Sequence, residues 1–519
     1  MFLFLYILGI ASSIVTLPNV KNAHIYANTP EELFLDTYLL CAIVCIVPSL
    51  ISIRKVNIPL RSILKGVVYL VMYPLYIIDT FCWVKFGTTI NPSMLLLMGE
   101  TNSEEASEFL TSYVSPDVIF SEVGVMLLIM LVHIALAVLL HYKPLKIKVG
   151  MKRPYRIVAD VLVAALFAYT ACMAYDNKIM YAETMQRETI GQVEHDMACQ
   201  PHTELYQPFM RLPFSIRSNQ LVAKQLERLE ANVGNVKIDS CSFKSPEIVL
   251  IIGESCNIRH SQLYGYDKEN TPNQVRMEKK EGLIKMEDGI APWNLTSFVL
   301  KHLMTTYCVG DDKEWCDYPL FCELFRKAGY RVTFLTNQFE TAAKQQVYDF
   351  SGGFFINNET LSKAQFDHRN KKLHIFDEGL LEDYADIEEQ GQPEAKGNLT
   401  IFHLMGQHVN YRVRCPNSKK KFRADDYADQ TDLKPKSRKV MADYDNATWY
   451  NDSVVNQIVE RFKDKEAIVI YFSDHGEEVF GPGARHFFGR MHKTDITKRL
   501  ADEEFRIPMW FYTTKTYQQ

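Results

Sequence analysis

The chain has 519 residues, 47% of them hydrophobic, and a formal net charge of -5 from 57 basic and 62 acidic side chains. That length gives room for at least two structural units. So balanced a charge excludes a nucleic-acid binder held by bulk positive charge, and also a disordered acidic chain.

The apolar residues crowd into the first third, where segments 2–17, 33–53, 63–84, 117–141 and 156–175 each approach bilayer length. They predict an α-helical membrane domain of five transmembrane helices over residues 1–176. The first segment, "MFLFLYILGIASSIVTL", has neither a basic leader nor a small-residue cleavage site, and reads as a spanning helix rather than a signal peptide. The basic loops "RKVNIPLRSILK" and "HYKPLKIKVGMKRPYR" follow even-numbered helices. Lys and Arg resist translocation, so the N-terminus is expected in the cytoplasm and everything after about residue 176 outside it. Seven of the eleven cysteines then face an oxidising compartment. The close spacing of Cys308, Cys316 and Cys322 favours a short loop-closing bridge, and the odd number leaves at least one thiol unpaired.

Residues 177–243 read as a connector with membrane-surface helices: "LVAKQLERLEANV" has helical spacing, while prolines break "QPHTELYQPFMRLPF". A helix packed on the exported domain fits that stretch equally well. From 244 to 519, short β-rich runs alternate with helical stretches: "EIVLIIG", "CELFRKAGYRVTFLT", "NLTIFHLMG", "VVNQIVERFKDKEAIVIYFSD". This is the pattern of an exported α/β domain with a mostly parallel sheet covered by helices on both faces. Ligands of such folds gather beyond the carboxyl ends of the strands.

Two strands aim metal ligands at that rim. Glu254 follows "IVLIIG", and Asp474 with His475 follows "AIVIYFS". Two carboxylates and an imidazole suit zinc, with a fourth position left for a nucleophile or a substrate oxygen. Each residue alone has a plainer reading, Glu254 as a helix cap and His475 as a buried histidine. His403 follows an apolar run and reads as core. His408, past the strand end in "HLMGQH", suits an anionic substrate or a second metal. The nucleophile must be a group that a metal can deprotonate. "APWNLTSFVLKHLMTT" offers Thr296 and Ser297 at a helix start, where positive potential would favour an attached phosphoryl group. An ordinary threonine N-cap is the alternative there. Ser255 and Cys256 compete as nucleophiles but rank below Thr296: consecutive residues point in different directions, and an oxidising compartment consumes thiols.

With these residues in place, the sequence resembles the membrane-bound phosphoethanolamine transferases of the alkaline phosphatase and sulfatase superfamily, which modify lipid A and the lipopolysaccharide core. "GESCNIRHSQLYGYDKENTPN" and "SDHGEEVF" carry the resemblance, which runs along nearly the whole chain. It implies a sulfatase-like fold for the exported domain, with zinc held by Glu254, Asp474, His475 and Thr296, and a second zinc as an option. It further implies Thr296 as the phosphorylated nucleophile and His408 as a catalytic contact to the substrate phosphate. Of two further histidines, His486 has the usual spacing and His492 opens an "HKT" like that of the core-modifying branch, with His492 preferred. Asn337, in "FLTNQFE" at another strand end, is a candidate contact for ethanolamine or phosphate. Thr101, Asn102 and Glu105, in "LLLMGETNSEEASEFL", match positions facing the lipid head group.

The implied activity is transfer of phosphoethanolamine from phosphatidylethanolamine to lipid A, lipopolysaccharide core or another envelope glycan, by a multi-pass protein of the bacterial inner membrane with a periplasmic catalytic domain. "GQHVNY" and the short "GEEVFGPGARHFFGR" depart from the lipid A branch and leave the acceptor open. Without C-x-P-x-R or S-x-P-x-R there is no formylglycine site. Two rivals share the metal or the fold: a glycerol phosphate transferase using phosphatidylglycerol, and a non-catalytic membrane sensor.

Overall fold

The computed structural model describes the chain apart from residues 24–29, 54–57, 87–88, 93–94, 96–115, 143–152, 200–204, 206, 340–352, 391–394, 482–487 and 491–496. Thr101, Asn102, Glu105, His486 and His492 lie outside the described residues. The chain divides into two compact units, Met1–Val222 and Ala223–Gln519, and the boundary falls inside the helix Pro208–Asn232.

In the first unit, the helices Phe2–Ala23, Pro30–Ile53, Ile58–Phe86, Glu122–Tyr142 and Arg153–Met173 occupy the five apolar segments. Ser62–Val84 and Glu122–Leu140 are long and apolar enough to cross a membrane; a third span counts if Ile157–Met173 and Tyr175–Gln186, bent by 51°, form one broken span. Phe2–Thr16 and Leu33–Cys45 are apolar but shorter. Of the five expected spans, two meet this measure among the described residues, or three with the broken pair. The outer faces carry Leu70, Leu128, Leu131, Val161 and Leu162, all largely exposed, a surface suited to hydrocarbon rather than water.

The interior of this unit is polar where the connector enters it. The Gln207 amide accepts from Tyr76 Oη at 2.8 Å and donates to Thr37 Oγ1 at 2.6 Å and Ser13 Oγ at 3.2 Å. Arg211 forms a buried ion pair with Asp79, whose other oxygen accepts from the Ile90 amide at 2.9 Å. These bonds fix the start of the helix Pro208–Asn232 among the apolar helices. Farther along the same helix, Leu229 belongs to a core of the second unit.

Among the described residues, the second unit has nine strands: β1 (Glu247–Gly253), β2 (Ile284–Met286), β3 (Tyr330–Thr336), β4 (His368–Arg369), β5 (Gly397–His403), β6 (Ala467–Ser473), β7 (Glu478–Val479), β8 (Phe488–Gly489) and β9 (Met509–Thr513). Seven form one sheet in the order β2-β9-β6-β1-β5-β3-β4, and β7 and β8 form a short ribbon. β6, β1, β5, β3 and β4 run parallel, while β9 is antiparallel to both β6 and β2. The run "IVLII" has no polar alternation because both faces are covered. Val249 and Ile251 enter one core, with Val454, Ile458 and Phe462 of the helix Pro435–Phe462; Ile248, Leu250 and Ile252 face another, with Leu300, Leu361 and Phe334.

The bridge expected among Cys308, Cys316 and Cys322 is not formed. All three are free: Cys316 and Cys322 are buried in the second core, whereas Cys308 is exposed. Packing against apolar neighbours takes the place of the covalent link.

Candidate active site

β1, β5 and β6 are in register side by side, so Gly253 of β1 aligns with Ser473 of β6 and Ile252 with His403 of β5. Whatever follows these strands meets at one rim. Glu254 comes off β1; Asp474 and His475 come off β6. One ligand atom from each lies within 4.8 Å of the others, and all three residues are fully buried. The helix Thr296–Leu303 starts at the same place. Thr296 is its first residue, after the extended Leu295, and its hydroxyl is turned to the rim instead of capping the backbone. Thr296 Oγ1 lies 2.7 Å from Asp474 Oδ2, 3.1 Å from Glu254 Oε2 and 3.3 Å from His475 Nε2.

Glycines set these distances. Gly406 has φ +44°, and a Cβ there would stand 3.0 Å from the Glu254 carbonyl and 3.1 Å from its nitrogen. A Cβ on Gly476 would come within 2.2 Å of the Glu503 carbonyl, so the residue after His475 has no room for a side chain.

The electrostatics favour a bound cation. One hydroxyl proton faces two carboxylates and an imidazole nitrogen, and it can satisfy one of them. His475 Nδ1 donates to the Gly476 carbonyl at 2.8 Å, which fixes the tautomer and leaves Nε2 with a lone pair for the cluster. Burial, then the charge of Arg490, pushes His475 down to about 3. Burial, then the charge of Glu254, holds Asp474 well above the usual carboxylate range. Two hard oxygens, one nitrogen and an alcohol oxygen, buried together, fit zinc by donor type and number.

The rival nucleophiles fare differently. Ser255 Oγ donates to Glu254 Oε1 at 2.7 Å, but Ser255 is 0% exposed where Thr296 keeps 8%. Burial pushes the Cys256 thiol up to about 12, and its sulfur packs against Tyr471 Oη and Gln407 Oε1, both at 3.2 Å.

His408 stands beside the cluster rather than in it. It is half-buried beyond β5, bracketed by Arg414, which donates to its carbonyl at 3.1 Å. His403 is a core residue, with Nδ1 3.0 Å from Thr336 Oγ1. Asn337 does not face the rim. Its buried amide donates to Asp377 at 2.9 Å and accepts from the His374 amide at 2.7 Å, and Asp377 in turn accepts from the amides of Met405 and Gly406. The substrate contact expected of Asn337 is thus corrected to a loop tie.

Sequence reasoning missed two residues in contact with the cluster. Gln338 donates from Nε2 to Glu254 Oε2 at 2.9 Å and to the Leu404 carbonyl at 2.7 Å. Arg490 places Nη1 2.7 Å from His475 Nε2. The signal for Arg490 was its position inside the histidine-rich segment "RHFFGRMHKT"; Gln338 had only its place after a strand end.

A sulfatase family model matches residues 246–519, just over half of the chain, which spans the whole rim just described. The chain belongs to the sulfatase family. Among its relatives, the phosphoethanolamine transferase EptC of Escherichia coli O18:K1:H7 (strain RS218 / NMEC) is 26% identical over 465 residues, 88% of this chain and 75% of that protein. The phosphoethanolamine transferase EptA of Helicobacter pylori (strain ATCC 700392 / 26695) is 26% identical over 318 residues, 59% of this chain and 55% of its own length. Of solved structures, the C-terminal periplasmic domain of EcEptC from Escherichia coli is 27% identical, with a TM-score of 0.45, covering 54% of this chain and 76% of that one. The integral membrane lipooligosaccharide phosphoethanolamine transferase A from Neisseria meningitidis is 16% identical, with a TM-score of 0.44, over 99% of this chain and 89% of its own.

Proposed function

We propose that this sulfatase-family chain transfers phosphoethanolamine from phosphatidylethanolamine to an acceptor of the cell envelope, through a phosphorylated Thr296. The observation that carries this reading is the Thr296 hydroxyl, within 3.3 Å of two carboxylates and an imidazole at the start of a helix. The names of the relatives support the transferred group. In the first step Thr296 Oγ attacks phosphorus, a new P–O bond forms, and the bond to the glycerol oxygen breaks. Diacylglycerol leaves and takes up a proton. In the second step an acceptor hydroxyl attacks the same phosphorus and Thr296 is restored. Glu254, Asp474, His475 and Thr296 are the residues that would hold zinc, and His408 is the candidate for a second ion or for a phosphate oxygen. Bound zinc would supply a lowered hydroxyl pKa and positive charge against the phosphoryl oxygens. Asp474 would receive the Thr296 proton along the 2.7 Å hydrogen bond, and His408 would steady a phosphate oxygen or protonate the leaving alkoxide.

This reading puts the chain in the bacterial inner membrane, N-terminus in the cytoplasm and catalytic unit in the periplasm. The acceptor is lipid A, lipopolysaccharide core or another envelope glycan. Anchoring keeps a bilayer donor and the site on one surface. The test incubates the zinc-loaded full chain with phosphatidylethanolamine vesicles and examines the peptide containing Thr296 by mass spectrometry. A phosphoethanolamine adduct, absent from Thr296→Ala, is expected. Transfer from phosphatidylglycerol instead would give a nitrogen-free adduct, and the absence of adduct and of lipid turnover would point to a sensor.

A further inference from the structure

Arg490 has two places to go. From the end of β8 its Nη1 donates to His475 Nε2 at 2.7 Å and to the Asn294 carbonyl at 3.3 Å. Among the described residues it is the only arginine or lysine hydrogen-bonded to Glu254, Asp474 or His475. His475 Nδ1 is committed to the Gly476 carbonyl, so Nε2 carries the one free lone pair of the ring. A lone pair serves a guanidinium N–H or a cation, not both. The second place is Glu477, the residue after Gly476. The Tyr411 hydroxyl donates to Oε1, while Oε2 is buried without a hydrogen bond and lies 3.6 Å from Arg490 Nε. The guanidinium and this carboxylate already form an ion pair, and a short approach would complete the hydrogen bond that the buried Oε2 lacks.

We propose that Arg490 is an exchangeable counter-ion of the Glu254–Asp474–His475 cluster: a divalent cation takes His475 Nε2 from it, and the guanidinium moves onto Glu477. Its charge stays beside the nucleophile, since His475 Nε2 is also 3.3 Å from Thr296 Oγ1, and positive charge there suits a phosphoryl group. That last consequence rests on the proposed role of Thr296; the exchange does not.

The experiment titrates zinc into the chelator-dialysed full chain in detergent against a chromophoric competitor, for wild type, Arg490→Gln, Arg490→Lys and Glu477→Gln. Arg490→Gln removes the competing cation and is expected to bind zinc about tenfold tighter. Glu477→Gln removes the charge that receives the guanidinium and is expected to bind several-fold more weakly. Arg490→Lys keeps the charge without the planar fork and falls between wild type and Arg490→Gln. The melting temperature of the chelated form should drop more in Arg490→Gln than that of the zinc-loaded form. A residue that merely braced the fold would move both affinities the same way. Equal or weaker zinc binding by Arg490→Gln overturns the exchange, as does zinc binding to neither protein. Should Arg490→Gln fail to fold, Arg490→Lys decides: affinity at or below wild type overturns it. Loss of the Thr296 adduct alone would sink the transfer reaction and leave the exchange standing.

Discussion

Gln338 spends one amide nitrogen on two acceptors, the Glu254 carboxylate and the Leu404 carbonyl, and so ties the first cluster carboxylate to the loop that follows β5. A group that orients a ligand in this way is worth about 10- to 100-fold in metal affinity. Gln338→Ala is therefore expected to weaken zinc binding by that factor in a competitive titration while leaving the melting temperature of the chelated chain close to wild type. Asn337, one residue earlier, is buried on Asp377 and His374. Both follow β3, and neighbours leaving a strand point to opposite sides, so only one of the two can reach the rim. The sequence "TNQ" does not say which. By contrast Glu254, Asp474 and His475 were legible because each ends a long β-branched run, where a charged side chain has few purposes besides the rim. Arg490 was not, since a cation in a loop usually serves solvent and nothing in the sequence pairs it with His475.

At the scale of elements, the parallel strands were readable from runs such as "IVLII", which stay apolar on both sides because two cores cover them. The antiparallel edge was not. β2 and β9 each follow a helix, Pro272–Glu281 and Lys498–Phe505, as a parallel strand would, so nothing in their sequence signals the reversed direction. One element owes its start to another. The helix Pro272–Glu281 opens against Asp452 of the helix Pro435–Phe462, which accepts from the amides of Asn273 and Gln274 at 3.0 and 3.2 Å and from their side chains at 2.9 and 3.1 Å. Gln274 passes the restraint on by accepting from Trp510 Nε1 at 3.0 Å. Asp452→Ala leaves these donors buried and is expected to cost about 3 kcal/mol, whereas Asp452→Asn, which keeps an acceptor, costs about 1 kcal/mol. Urea unfolding of both variants followed by tryptophan fluorescence checks the difference.

On the scale of the whole molecule, the two units use charge in opposite ways. The catalytic unit gathers carboxylates where a cation fits, while the helical unit neutralises its buried Asp79 internally with Arg211. Breaking a buried pair by removing one partner typically costs about 3–5 kcal/mol, while replacing both restores much of it. Arg211→Ala should therefore lower the melting temperature in detergent sharply, and Asp79→Asn with Arg211→Met should recover most of the loss. Two units were foreseeable from the hydropathy of the first third, but their boundary was not. It falls inside a continuous helix that no turn or breaker interrupts at Val222. The order of synthesis also bears on the rim. β6 gains its outer neighbour only from Met509–Thr513, Gly476 is held by the Glu504 carbonyl, and Trp510 stacks on Tyr471 at 5.1 Å. All of these braces emerge from the ribosome after the residues they support. Until Met509–Thr513 has paired, β6 lacks its outer neighbour, and the cluster of Glu254, Asp474, His475 and Thr296 takes its shape only as the sheet closes.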